Sequence, residues 1–295
     1  MGVVLHYGPM TTTSLLNDLA LRDDIVALLE QNDRRIPISL IGREIFRFRN
    51  PRVAHLRHLL LRLFADDPRL VVREDDYLEL LPDEREFAPL SASEYIVLDV
   101  ETTGMNPRID RVMEISAFRI ARREPRTPLS ITDEFTTLVH PEREIPPAIT
   151  LMTGITNEMV ARAPRFCEIA DELIAFIGSR VIVAHNASFD TNFLNAEIGR
   201  IYGQRLGNLC LCTLKLSRSL FPELANHKLP TIAYYLGIEM ENHHRARDDA
   251  WATAKMFLRM LDLLEDRGIG TVFEAMEFHR KRSSRRALSR QNRYL

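Results

Sequence analysis

With 295 residues and 45% hydrophobic side chains, the chain can bury one large core and a smaller one, so two folded units are expected. A formal net charge of −2 excludes global attraction to nucleic acid, and the absence of any apolar run of about eighteen residues excludes a helical membrane span. No basic stretch followed by an apolar core opens the chain, and Cys167, Cys210 and Cys212 form no CxxC pair, so a soluble, cytoplasmic protein with reduced thiols is expected.

Residues 1–11 read as an N-terminal extension. From 12 to 82 a helical unit is expected. Leu15, Leu19, Ile25, Leu28 and Leu29 recur at helical spacing, and so do the apolar positions of Ile38 to Phe46 and of Val53 to Phe64. Asn50 followed by Pro51 is a helix-start signal, because proline fits the first turn. "RLVVREDDYLELLP" then alternates around a polar turn as a hairpin does. Helices followed by such a wing predict a small winged helix-turn-helix domain. On its last helix Arg52, His55, Arg57, His58 and Arg62 form a basic face for DNA, for a protein or for the neighbouring domain.

The stretch "PDEREFAPLSAS" is rich in proline, serine and charge, and residues 83–94 are read as a linker. Beyond it, "YIVLDV", "RVMEISAFRI" and "DEFTTLVHP" form a meander of strands. Helical patterns then alternate with two buried strands in "RVIVAHN" and "LCLCTL". This order predicts an α/β domain over 95–266, a mixed five-stranded sheet with flanking helices. Residues 267–295 are read as a basic tail, since 280–295 hold seven Lys or Arg and no acid. Such a tail either contacts phosphates in a salt-dependent way or keeps the chain soluble.

Four acids in this domain stand where chemistry is expected. Asp99 and Glu101 are two apart in "VLDVETTG", so a strand points both to one face, where two carboxylates repel and call for a cation. Asp190 follows "VIVAHN" at a helix start, the kind of strand end where ligands bind in open sheets. Asp249 lies on a helix whose apolar stripe runs through Ala250, Ala254, Phe257, Leu258 and Leu261, and His244 precedes it by five residues. Taken singly, each has a plainer reading: acids at a strand end, an acid favouring a helix dipole, a solvated loop histidine. Together they form a set of hard oxygen ligands free of thiolate, which suits a pair of Mg²⁺ or Mn²⁺ ions in phosphodiester hydrolysis, with a histidine to take the proton of the attacking water.

The motifs "DVETTG", "HNASFD" and "HRARDDA" resemble the DnaQ-like 3′-5′ exonucleases of the DEDDh class, which include the proofreading epsilon subunit and the exonuclease domain of PolC-type polymerases. The H-x-A-x-x-D form of the third motif selects His244 over His243 and Asp249 over Asp248. The resemblance implies a ribonuclease H-like fold and a catalytic set of Asp99, Glu101, Asp190, His244 and Asp249. The four acids would bind metal and His244 would be the general base. It also implies that the Thr102, Thr103 and Gly104 backbone meets the terminal nucleotide, with Ile155, Asn186 and Phe189 nearby. A 3′ exonuclease acting on single-stranded or mismatched DNA in repair or proofreading is therefore expected, with a replication or repair protein as a possible partner. An RNA 3′-trimming enzyme and a non-catalytic end-binding adaptor are the alternatives.

Overall fold

The computed structural model describes residues 21–22, 24–29, 32, 34–65, 67–240 and 245–278. The N-terminal extension, His244 and the tail beyond 278 lie outside the described residues, as does much of the first expected helix. Two compact units are present, Met1–Glu84 with Tyr202–Arg205, and Arg85–Ile201 with Leu206–Leu295.

In the first unit, a helical stretch at 24–29 is followed by β1 (Arg35–Pro37), α1 (Ile38–Glu44), α2 (Val53–Leu63), β2 (Leu70–Val72) and β3 (Tyr77–Leu80). The strands form an antiparallel sheet in the order β1-β3-β2. Leu56, Leu60 and Leu63 fall on one face of α2 because three- and four-residue steps return to the same side of a helix. They close a core with Ile25, Leu29, Ile36, Ile41 and Leu78. The two longer helices and the hairpin lie where the periodicity places them. β1 was not foreseen, for three residues are too few to show alternation.

The second unit is built on a sheet in the order β6-β5-β4-β7-β8. β4 (Tyr95–Thr102), β5 (Val112–Arg122) and β6 (Leu129–Leu138) are antiparallel, and β7 (Val181–Ala184) and β8 (Cys210–Cys212) add in parallel. This is the mixed sheet of a ribonuclease H-like fold. Helices α3 (Pro147–Thr153), α4 (Asn157–Val160), α5 (Phe166–Ile177) and α6 (Ala187–Tyr202) precede β8, and α7 (Thr213–Leu220), α8 (Leu229–Tyr235), α9 (Ala246–Glu265) and α10 (Val272–Phe278) follow it.

Alternation along β4 divides the core. Ile96, Leu98 and Val100 pack with Phe166, Leu173, Phe193 and Leu194 of α5 and α6. Tyr95 and Val97 turn to the other side and pack with Phe257, Met260 and Leu264 of α9. The Tyr95 and Phe257 rings meet edge to face at 4.9 Å. This contact sets the height of α9 on the sheet. Eight residues of helix back from Phe257 cover about 12 Å, and four residues of strand forward from Tyr95 cover about 13 Å. Asp249 and Asp99 thereby arrive at the same level.

Two boundaries differ from expectation. The stretch read as a linker is mostly docked on the second unit. Leu90 is fully buried in its core, the Leu90 N–H donates to the Gly270 carbonyl at 2.8 Å, and the Val272 N–H donates to Ala88 at 3.1 Å. By the same contacts the domain runs past 266, since Val272, Ala275 and Met276 of α10 are buried in that core. Proline, serine and charge mark irregular backbone, and here the irregular backbone is packed down by a few apolar side chains. Among the described residues no helix is long and apolar enough to cross a membrane.

Candidate active site

Asp99 and Glu101 follow Tyr95 and Val97 on the α9 side of β4, near its carboxyl end. Asp249 enters from the first turns of α9. One carboxylate oxygen from each of the three lies within 4.8 Å of the others. Asp248 instead sits beside Arg247, with Nη1 at 3.9 Å, so α9 turns the second acid of the pair inward.

Asp190 reaches the site from the first turn of α6. β7 pairs with β4 only along Tyr95–Val97, so the N–H of Val100 has no strand partner on that side. The chain turns after Ala184 through Asn186, which adopts a left-handed φ of 75°, and α6 begins at once. That turn carries the Asp190 carboxylate back to β4, where Oδ1 accepts the Val100 N–H at 3.2 Å.

Crowding of acids in a desolvated place shifts their proton affinity. Desolvation, then repulsion from Asp190, Glu101, Asp249 and Glu114, raises Asp99 well above the ordinary carboxylate range. Glu101 is pushed up to about 8, first by desolvation and then by Asp249 and Glu114, with Arg245 opposing. Asp190 is raised by burial against the pull of its backbone hydrogen bonds. A donor set of this kind, carboxylate oxygens brought together against their mutual repulsion, is complete only with positive charge between them, and hard oxygens fit a divalent cation.

A fifth acid, Glu114, was missed by the motif reading. It stands opposite Glu101 on β5 and is buried. Its Oε1 accepts from Arg245 Nη2 at 2.6 Å, and its Oε2 accepts from Arg245 Nε at 3.2 Å and from the Ala246 N–H at 2.9 Å. α9 has no side-chain cap of its own at Arg245, so a strand carboxylate does the work of the missing N-cap. Glu114 thus pins the start of the helix bearing Asp249, and with it the residue bonded to His244. An acid in the buried first half of a strand, between Met113 and Ile115, is the one sequence signal for it.

The expected nucleotide contacts are placed unequally. Thr103 is buried and exchanges hydrogen bonds with Arg111, its N–H to the carbonyl at 2.9 Å and its Oγ1 from the N–H at 3.0 Å. Thr102 Oγ1 donates to the Gly104 carbonyl at 2.6 Å. Gly104 packs so closely on Asp110 that an added Cβ would lie 2.4 Å from Oδ2. These bonds fix the backbone of the turn, the part expected to meet the nucleotide. Asn186 is exposed, and Phe189 is half-buried against Phe193 at 4.9 Å. Ile155 is different: it is fully buried with Met113, Ile145 and Val160, so its side chain is a core residue with no surface to offer a ligand.

Residues 96–257, just over half of the chain, match the exonuclease family RNase_T. The PolC-type DNA polymerase III of Caldanaerobacter subterraneus subsp. tengcongensis is 39% identical over 181 residues, 61% of this chain but 12% of that protein. The DNA polymerase III subunit epsilon of Treponema pallidum is 37% identical over 169 residues, 57% of this chain and 76% of the subunit. The nuclease domain of 3′hExo, a DEDDh family member solved with rAMP, superposes with a TM-score of 0.51 at 21% identity. That alignment covers 59% of this chain and 94% of the domain, a likeness of fold. The acid cluster lies inside the matched span, and the chain belongs to the exonuclease family RNase_T.

Proposed function

We propose that this protein is a 3′-to-5′ exonuclease that releases nucleoside monophosphates from DNA 3′ ends in repair or proofreading, working in the cytoplasm. The observation that carries this reading is the convergence of Asp99, Glu101 and Asp249 within 4.8 Å, from a strand and a helix far apart in sequence. Asp99, Glu101 and Asp249 would hold the cation on the side of the attacking water, with Asp99 shared by a second ion and Asp190 completing the set. Two Mg²⁺ or Mn²⁺ ions there would supply Lewis-acid activation and neutralise charge on the phosphate.

The protein's own groups supply the rest. His244, one residue before the Arg245 that Glu114 fixes, is assigned as the base that takes a proton from water as its oxygen bonds to phosphorus. The bond to the preceding 3′ oxygen breaks, leaving a shortened strand and a nucleoside 5′-monophosphate. The backbone from Thr102 to Gly104, with Asn186 and Phe189, would hold the terminal nucleotide. The element order of the first unit supports a winged helix for DNA or for a replication or repair protein.

The test is product analysis on single-stranded and 3′-mismatched DNA with Mg²⁺ or Mn²⁺, beside matched RNA. Mononucleotide release that falls about 100-fold or more in Asp99→Asn supports the reading. Faster trimming of RNA redirects it to an exoribonuclease. Equal behaviour of Asp99→Asn and the wild type returns the chain to an end-binding adaptor.

A further inference from the structure

A cleft of about 800 Å³ opens beside Asp249 and is lined by His185, Arg218, Asn226, His227 and Lys228 among others. Its charge is opposite to that of the acid cluster it adjoins. Asp249 lines one end, with Asp99, Glu101, Asp190 and Glu114 clustered behind it, and the Arg245 charge there is taken up by Glu114. A polyanion approaching such an end is repelled, and metal ions offset this only at the linkage they touch. Arg218 and Lys228 are exposed, and among the described residues neither is paired with a carboxylate.

The backbone carrying these two cations is held in place. Burial pushes the His185 imidazole down to about 4, so the ring is neutral and carries one N–H. Nε2 faces the His227 carbonyl at 3.0 Å and must be the donor, which leaves Nδ1 to accept from Thr213 Oγ1 at 3.0 Å. His227 Nδ1 in turn meets Ser217 Oγ at 3.2 Å, next to Arg218. Asn226 Oδ1 accepts the Lys228 N–H at 3.1 Å and the Thr231 hydroxyl at 2.7 Å. One hydrogen-bonded hinge therefore launches both cations into the cleft that ends at Asp249.

We propose that Arg218 and Lys228 form a phosphate-binding lip, taking backbone phosphates of the substrate strand on the 5′ side of the linkage to be cut. This rests on the exonuclease reading for its direction along the strand, while the binding itself is independent of turnover.

The test uses the Arg218→Gln/Lys228→Gln double variant of the full chain. Binding of a fluorescent oligothymidylate in Ca²⁺, which needs no hydrolysis, is expected to weaken about 10-fold. The slope of log affinity against log salt is expected to shrink by about 1.4, the release for two single-strand phosphates. Hydrolysis of thymidine 5′-p-nitrophenyl phosphate in Mn²⁺, which has no upstream phosphate, is expected to be unchanged. Unchanged affinity and slope overturn the proposal, as does loss confined to duplex substrates or an equal fall in ester hydrolysis. Should the wild type hydrolyse nothing while the variant loses affinity and slope, the catalytic reading fails and the lip stands.

Discussion

Glu101→Gln should stabilise the metal-free protein, and only above mildly acidic pH. In the folded chain the Glu101 pKa is raised to about 8 from an ordinary 4.5, by desolvation and by Asp249 and Glu114. The folded state therefore keeps a proton that the unfolded chain gives up, and stability falls as pH rises from about 4.5 to about 8, then levels. At about 1.4 kcal/mol per pH unit the full effect is at most about 5 kcal/mol, and local relaxation brings the expected value to about 2–4 kcal/mol. Gln keeps the shape and cannot ionise. Urea melts of EDTA-treated protein should show wild type and variant alike at pH 5 and the variant ahead by that amount at pH 9. Millimolar Mg²⁺ should restore the wild type and help the variant much less. Parallel pH profiles, or equal gain from Mg²⁺ in both proteins, would refute the claim that these carboxylates are held together against repulsion.

Other substitutions probe the parts around the acids. Glu114→Ala strands the Arg245 guanidinium and the Ala246 N–H, and should cost about 3 kcal/mol in chemical denaturation, whereas Glu114→Gln keeps one acceptor and should cost about half that. A cost under about 0.5 kcal/mol for the alanine variant would remove Glu114 from its capping role. Gly104→Ala drives a methyl into the Asp110 carboxylate, which is itself held by the Asn106 N–H and by Arg143, so the turn must shift. Turnover should fall about 10- to 100-fold with Mn²⁺ affinity unchanged, and unchanged turnover would show that this backbone meets no substrate. Because metal competes with protons for Glu101, Mn²⁺ affinity by calorimetry should climb with pH up to about 8, with proton release that grows as pH is lowered from there. A flat profile would place the ion elsewhere.

Much of this was legible because it is written in local periods. Asp99 and Glu101 share a face by strand alternation, and Asp249 is singled out from Asp248 by the H-x-A-x-x-D form of its motif. The mixed five-stranded sheet followed from three adjacent strands and two later buried ones, though not the order of its strands. What escaped depends on partners distant in the chain. Glu114 is 131 residues from the Arg245 it binds, and nothing near either residue announces the pair. Leu90, set among prolines, serines and charges, looked like linker because the core that buries it is assembled from residues distant in the chain. Ile155 was read as a ligand contact from its motif neighbours, yet its side chain fills a small core beside Met113 and Val160. In each miss, tertiary packing overruled local composition.

The most direct measurement is a Mn²⁺ titration of the full chain followed by electron paramagnetic resonance, in the presence of thymidine 5′-monophosphate. Two bound ions per chain are predicted for the wild type and at most one for Asp99→Asn. Absence of saturable binding at millimolar Mn²⁺, or identical titrations for the two proteins, would contradict a metal-built site at Asp99, Glu101 and Asp249.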